Sequence, residues 1–141
     1  MARSRPDVLA ITPKGYLTEV EVKRTVSDFR RDSSKPHRQF PERRHSEVRM
    51  LYYLVPPSLV EKVRPLLPPA SGLLTLHPTL LTLSGLPEIV VVVPAPVRKW
   101  AKPVGEKRKW GLVRDMAGTL VSVEGRFRKI RQQLRNPSSS L

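Results

Sequence analysis

Fifteen prolines in a chain of 141 residues set the first limit on what can fold here. Proline fixes φ and lacks a backbone N–H, so it ends helices or confines them to short runs. Long uninterrupted helices are therefore few, and strands joined by short helices are what the remaining sequence can build. Apolar residues make up 39% of the chain, enough for a modest core in one domain.

The strands start early. Arg5 to Lys23 reads as a hairpin, with Val8-Leu9-Ala10-Ile11 as its first arm and Pro13-Lys14-Gly15 as its turn. From Leu17 to Thr25 the residues alternate. A period of two puts Glu19, Glu21, Lys23 and Thr25 on one face, with Val20 and Val22 on the other. An alternating charged strand costs little if that face is solvated. A hairpin closing at Lys14-Gly15, however, lays Asp7 opposite Glu21 to Lys23, so that two acids and a lysine converge from neighbouring strands. Such a set suits phosphodiester hydrolysis. Asp7 and Glu21 offer the oxygen ligands that Mg²⁺ or Mn²⁺ prefers. The cation can activate water and neutralise charge developing on phosphate, and Lys23 can position that water or stabilise the transition state.

Charge narrows the partners. Lysine and arginine total 26 against 12 acids, giving a net charge of +14. That excess favours a polyanion, nucleic acid first and an anionic membrane surface second, although a basic structural or assembly protein has the same composition. The chain has no cysteine, which excludes disulfides and thiolate metal sites and fits a reducing compartment. Residues 1–5 lack the apolar core of a signal peptide, and no apolar run reaches the roughly 18 residues of a spanning helix. The expectation is a cytoplasmic protein.

Downstream, Thr25 or Ser27 can cap a short helix through Asp32, with Val26 and Phe29 facing the sheet and Pro36 ending it. Residues 33–49 read as a basic surface loop. Met50 to Val55 reads as a buried central strand, followed by a helix from Ser58 through Leu67 and a further strand at Gly72 to Leu76. Strand, helix, strand implies a crossover unit beside the hairpin. Leu80 to Leu83 can form one more strand or a hairpin arm. The β-branched run Glu88 to Val93 suggests a strand buried on both faces, or an edge that something covers. After Pro96, residues 97–135 read as a basic segment packed on the core and helical over 106–134. Trp100 and Trp110 stand among its cations, and a polar tail follows at 136–141.

These elements together carry a resemblance. Arg5-Pro6-Asp7, Glu21-Val22-Lys23, Ser27-Asp28-Phe29-Arg30 with Asp32, Tyr52-Tyr53-Leu54-Val55-Pro56, Gly72-Leu73 and Ala95-Pro96 occur in an order that resembles the MmcB-like family. That is a family of DNA-repair endonucleases within the PD-(D/E)xK superfamily, and the likeness spans roughly residues 5 to 135. It implies an α/β fold with a restriction-endonuclease-like core: a mixed β-sheet flanked by helices over residues 1–96, followed by the helical basic C-terminal segment. It also implies Asp7 and Glu21 as metal ligands and Lys23 as the catalytic lysine. Glu19 stands behind the ligands on the same face, and Asp28 acts as a helix cap or as a partner of the site.

The superfamily core begins with a further helix and strand, whereas six residues precede Asp7 here. The expectation is thus an N-terminally shortened core. Its first strand presents an open edge that a homodimer could cover, or its site is one that binds DNA without cutting it. The function expected is a metal-dependent DNA endonuclease in repair or recombination, with an inactive nucleic-acid-binding module as the alternative. Phosphate contacts are expected from Arg24, Arg30, Arg31, Lys35, Arg38, Arg43, Arg44, Arg98, Lys99 and Lys102.

Overall fold

In the computed structural model, residues 6–44 and 47–117 are described. Strand β1 (Val8–Ile11) turns into β2 (Leu17–Val22) through Thr12-Pro13-Lys14-Gly15. The Gly15 N–H donates to the Thr12 carbonyl at 2.8 Å, and Gly15 sits at φ 90°, where a side chain would be strained. The antiparallel register runs from Val8 opposite Val20 to Ile11 opposite Leu17.

β2 then pairs in parallel with β3 (Val48–Val55), which pairs in parallel with β4 (Gly72–Leu81), and β5 (Pro87–Val93) returns antiparallel to β4. The result is a five-stranded mixed sheet in the order β1-β2-β3-β4-β5. Parallel neighbours need crossovers, and short helices supply them. Between β2 and β3 lie α1 (Val26–Ser33) and α2 (Pro36–Gln39), then a 3₁₀ turn at Pro41–Arg44. Between β3 and β4 lies α3 (Val60–Val63), flanked by 3₁₀ turns at Pro57–Leu59 and Arg64–Leu66. The continuous helix expected from Ser58 to Leu67 is broken, and Pro65, which has no N–H to donate to the carbonyl four residues back, ends α3.

Both crossovers cover the same sheet face. Leu51, Tyr53 and Val55 of β3 and Leu73 of β4 form its core with Phe29 from α1 and Val63 from α3, all essentially buried. Phe29 meets the Tyr53 ring edge-on, with centroids 4.8 Å apart. Thr25 caps α1 as expected, its hydroxyl accepting from the Asp28 N–H at 3.1 Å. Since Glu19 lies opposite Leu51 and Glu21 opposite Tyr53, the acids of β2 point onto this helix-covered face.

The element boundaries differ in places from those expected. β3 begins at Val48, two residues before the expected Met50, and Leu80 and Leu81 end β4, which pairs antiparallel with β5, so this stretch is a hairpin arm rather than a separate strand. Of the two readings of Glu88 to Val93 the edge holds: β5 is an edge strand, and Ile89 and Val91 remain more than half exposed. The break near residue 96 moves as well. The chain divides into Met1–Val104 and Gly105–Leu141, which leaves residues 97–104 with the sheet. The Arg98 N–H donates to the Arg49 carbonyl and the Val104 N–H to the Gly15 carbonyl, each at 2.9 Å. In the second unit a helix spans 106–117; the rest of the expected helix and the tail at 136–141 lie outside the described residues. Among the described residues no helix is long and apolar enough to cross a membrane.

Gly72 shows how closely the other sheet face is packed. A Cβ there would stand 2.5 Å from both the Ala95 nitrogen and Cε1 of Tyr52. Gly72→Ala is expected to cost about 1–3 kcal/mol, read as a lower urea midpoint at unchanged m-value.

Candidate functional site

The hairpin register brings the expected acids and lysine together. Asp7, one residue before β1, accepts a hydrogen bond on Oδ2 from the Val22 N–H at 2.8 Å. Alternation along β2 turns Glu21 and, just beyond the strand, Lys23 onto the helix-covered face, where both are buried. Lys23 Nζ sits 2.9 Å from Glu21 Oε2. Asp7, by contrast, is solvent-exposed, so the three groups span from the protein surface inward.

Sequence reasoning missed what holds this arrangement. Arg38 of α2 is only 5% exposed, and its guanidinium reaches three carboxylates. One nitrogen, Nη2, donates to Glu19 Oε1 at 2.8 Å and to Glu21 Oε1 at 3.1 Å, while Nε donates to Asp32 Oδ2 at 3.2 Å. Asp32, on the inner face of α1, also takes Lys35 Nζ at 2.6 Å and the Tyr53 hydroxyl at 3.0 Å, with Lys23 Nζ 4.0 Å away. Glu19, Glu21 and Asp32 therefore face Lys23, Lys35 and Arg38. Among the described residues no buried side-chain nitrogen or oxygen lacks a partner. Local sequence explains the placement. Pro36 opens α2 at its first turn, restarting the chain in a new direction after α1 and turning Arg38 back under the sheet. Asp32 follows Phe29 by three residues, so both share the buried side of α1, and that spacing was a readable signal.

Burial and charge pull against each other here. Burial pushes the Glu21 carboxyl up to about 7, against the opposing pull of Lys23 and Arg38. For Lys23 burial alone would favour the neutral amine, but its hydrogen bond to Glu21 and the charges of Glu21, Asp32 and Asp7 hold its pKa above the usual lysine value. Burial likewise opposes the charge on Asp32, yet Lys35, Arg38 and Lys23 outweigh it and keep its pKa low. Burial and the adjacent Asp32 charge raise the Tyr53 hydroxyl, which stays protonated as a donor.

The sign of the stability effect follows. Unfolded Glu21 releases its proton near 4.5, while the folded group keeps it to about 7. Its contribution to stability thus falls as pH rises between those values and is constant above. Asp32 acts oppositely, contributing above its ordinary carboxylate range and losing that contribution in acid. Side-chain carboxyl NMR is expected to give Glu21 a midpoint near 7; a midpoint at its ordinary 4.5 would mean that Lys23 and Arg38 offset the burial in full.

The other expected contacts divide. Arg24, Arg30, Lys99 and Lys102 are exposed. Arg31 is exposed and pairs with Asp28 at 2.9 Å, and Asp28 stands in the first turn of α1, its N–H donating to the Thr25 hydroxyl. Lys35 is committed to Asp32. Arg38 and Arg98 are corrected: both are buried and reach protein acceptors rather than solvent, Arg98 through the Ala70 carbonyl at 3.0 and 3.3 Å. The side chains of Arg43 and Arg44 lie outside the described residues.

Comparison with known proteins adds to the fold only. The chain is similar to a solved structure described as SPO1766 protein of unknown function from Silicibacter pomeroyi, at 21% identity and a TM-score of 0.50. The likeness covers 96% of this chain and 74% of that one. No family model and no curated protein matches. The α/β architecture with its helix-flanked mixed sheet stands on this likeness and on the strand pairing described above.

Proposed function

We propose that this protein is a metal-dependent DNA endonuclease of the PD-(D/E)xK kind, acting in repair or recombination. One observation supports the reading above all others: Asp7 is tied to the Val22 backbone at the point where β2 delivers the paired Glu21 and Lys23. The donor chemistry fits Mg²⁺ or Mn²⁺, since Asp7 and Glu21 supply hard carboxylate oxygens. Among the described residues no group of three acids, histidines or cysteines is arranged to hold a metal ion, so Asp7 and Glu21 would hold it with water or phosphate oxygens. Such a cation supplies Lewis-acid activation of water and neutralises charge on the phosphate. The chain's own residues do the remainder. Val22 fixes the Asp7 carboxylate through its N–H, and Glu21 orients the Lys23 ammonium. Lys23, held charged, acts as a donor to the attacking water or the phosphate rather than as a base. Arg24, Arg30, Lys99 and Lys102 provide exposed positive charge for the DNA backbone.

A second reading has its own observation. Arg38 already occupies Glu19, Glu21 and Asp32, and a site neutralised in this way suits a domain that binds DNA without cutting it. Nicking of supercoiled plasmid in Mg²⁺ or Mn²⁺ separates the two. Cleavage that is lost in Asp7→Ala supports the nuclease; retention of DNA with no nicking in either metal supports the binding module. For the nuclease, Glu21 must release its proton, so the nicking rate is expected to rise with pH through about 7.

A further inference from the structure

Trp100 stands in an unusual place. The segment after β5 runs beneath the starts of β3 and β2, hydrogen-bonding first to Arg49 and then to Gly15. Within it Arg98 to Ala101 forms a β-turn closed by the Ala101 N–H to the Arg98 carbonyl at 3.1 Å. Both ends of the turn are anchored. Arg98 is 3% exposed and clamps the Ala70 carbonyl through two nitrogens, while Ala101 is 7% exposed. The two residues at the tip, Lys99 and Trp100, are both exposed, Trp100 by 42%. An isolated exposed apolar side chain carries little meaning. Trp100 differs because a fixed turn presents it, with a lysine beside it and Lys102 two residues on. At the same end of the sheet lie the exposed Lys14 of the hairpin turn and Arg49, which stacks 3.8 Å over the Tyr16 ring.

A rigid indole among cations matches unpaired nucleic acid. Every base has a π-face to stack on the ring, and the lysines track the phosphates. We infer that the Arg98–Ala101 turn is a stacking platform for single-stranded DNA, with Trp100 taking a base and Lys99 and Lys102 its flanking phosphates. Asp7, Val22 and Lys23 lie toward the opposite end of β2, so this surface is separate from the candidate catalytic residues. The inference rests on the nucleic-acid reading above, though not on cleavage.

The test is fluorescence anisotropy with the full chain and labelled oligothymidylate of about 16 nucleotides, with a duplex of the same length alongside. Trp100→Ala is expected to weaken single-strand binding on the order of 10-fold while leaving the salt slope and duplex affinity unchanged, and Trp100→Phe to restore most of the loss. Replacing Lys99 and Lys102 together with alanine should reduce the log–log salt slope by about 1.4. The chain has two tryptophans, so Trp110→Phe isolates Trp100 fluorescence, which the oligonucleotide should quench at saturation. Equal single-strand affinity for wild type and Trp100→Ala, or no quenching at saturation, overturns the platform and leaves the nuclease reading intact. Failure of the wild-type chain to bind either DNA at moderate salt overturns both.

Discussion

Arg38→Ala is expected to destabilise the fold by about 3–5 kcal/mol, the usual cost of removing one partner from a buried ion-pair cluster. Glu19, Glu21 and Asp32 would each lose a guanidinium contact of 2.8 to 3.2 Å inside the protein, where water cannot replace it. An exposed pair behaves differently. Arg31→Ala removes a 2.9 Å contact to Asp28, but Arg31 is 76% exposed at its side chain, so the loss should stay under about 1 kcal/mol. The Arg38 effect also has a pH signature. Without the cation, folded Glu21 and Asp32 bind protons more tightly, so the variant retains protons that the unfolded chain has released. Its stability should therefore fall more steeply with rising pH than that of wild type, and the deficit should be smaller at pH 5 than at pH 8. Urea unfolding at the two pH values measures both claims. A deficit that is small and independent of pH would mean that the cluster is not held by Arg38.

Lys23→Ala is expected to reduce DNA cleavage on the order of 10²- to 10³-fold, the scale of losing one well-placed donor to a developing charge. Geometry and charge both favour that role. The ammonium lies 2.9 Å from Glu21 and 4.0 Å from Asp32, and these acids, with Asp7, keep it protonated. DNA affinity should change little, because Lys23 is buried and the backbone contacts come from exposed cations such as Arg24 and Arg30. The variant should also fold, since Arg38 still neutralises Glu21. Loss of binding in step with loss of cleavage would place Lys23 among the phosphate contacts instead.

How far the fold could be read depended on whether its signals were local. The turn at Pro13 to Gly15, the alternation from Leu17, the Thr25 cap and the Tyr-Tyr strand each depend on residues a few positions apart, and each appears in the structure. The pairing of Asp7 with the Glu21–Lys23 end of β2 followed from the turn alone, because a hairpin's register is fixed by where it closes. Burial of particular charges was not legible. Residues 33–49 carry so many cations that they read as solvated, and nothing nearby in sequence marks Arg38 as the one that meets Glu19, which lies 19 positions earlier. Arg98 was hidden for the same reason, its acceptor being 28 positions away. The β-branched run in β5 suited either a buried strand or an edge, and only the strand order decides for the edge.

The central claim is that Asp7, Glu21 and Lys23 act together on one phosphodiester bond. Its most direct test is the nicking rate of supercoiled plasmid by the purified chain in Mg²⁺, compared with EDTA and with Lys23→Ala. The account predicts nicking that requires the metal and falls on the order of 10²- to 10³-fold in the variant. Nicking that persists undiminished in Lys23→Ala, or plasmid that stays intact in Mg²⁺ and Mn²⁺ although the protein binds it, would contradict that claim.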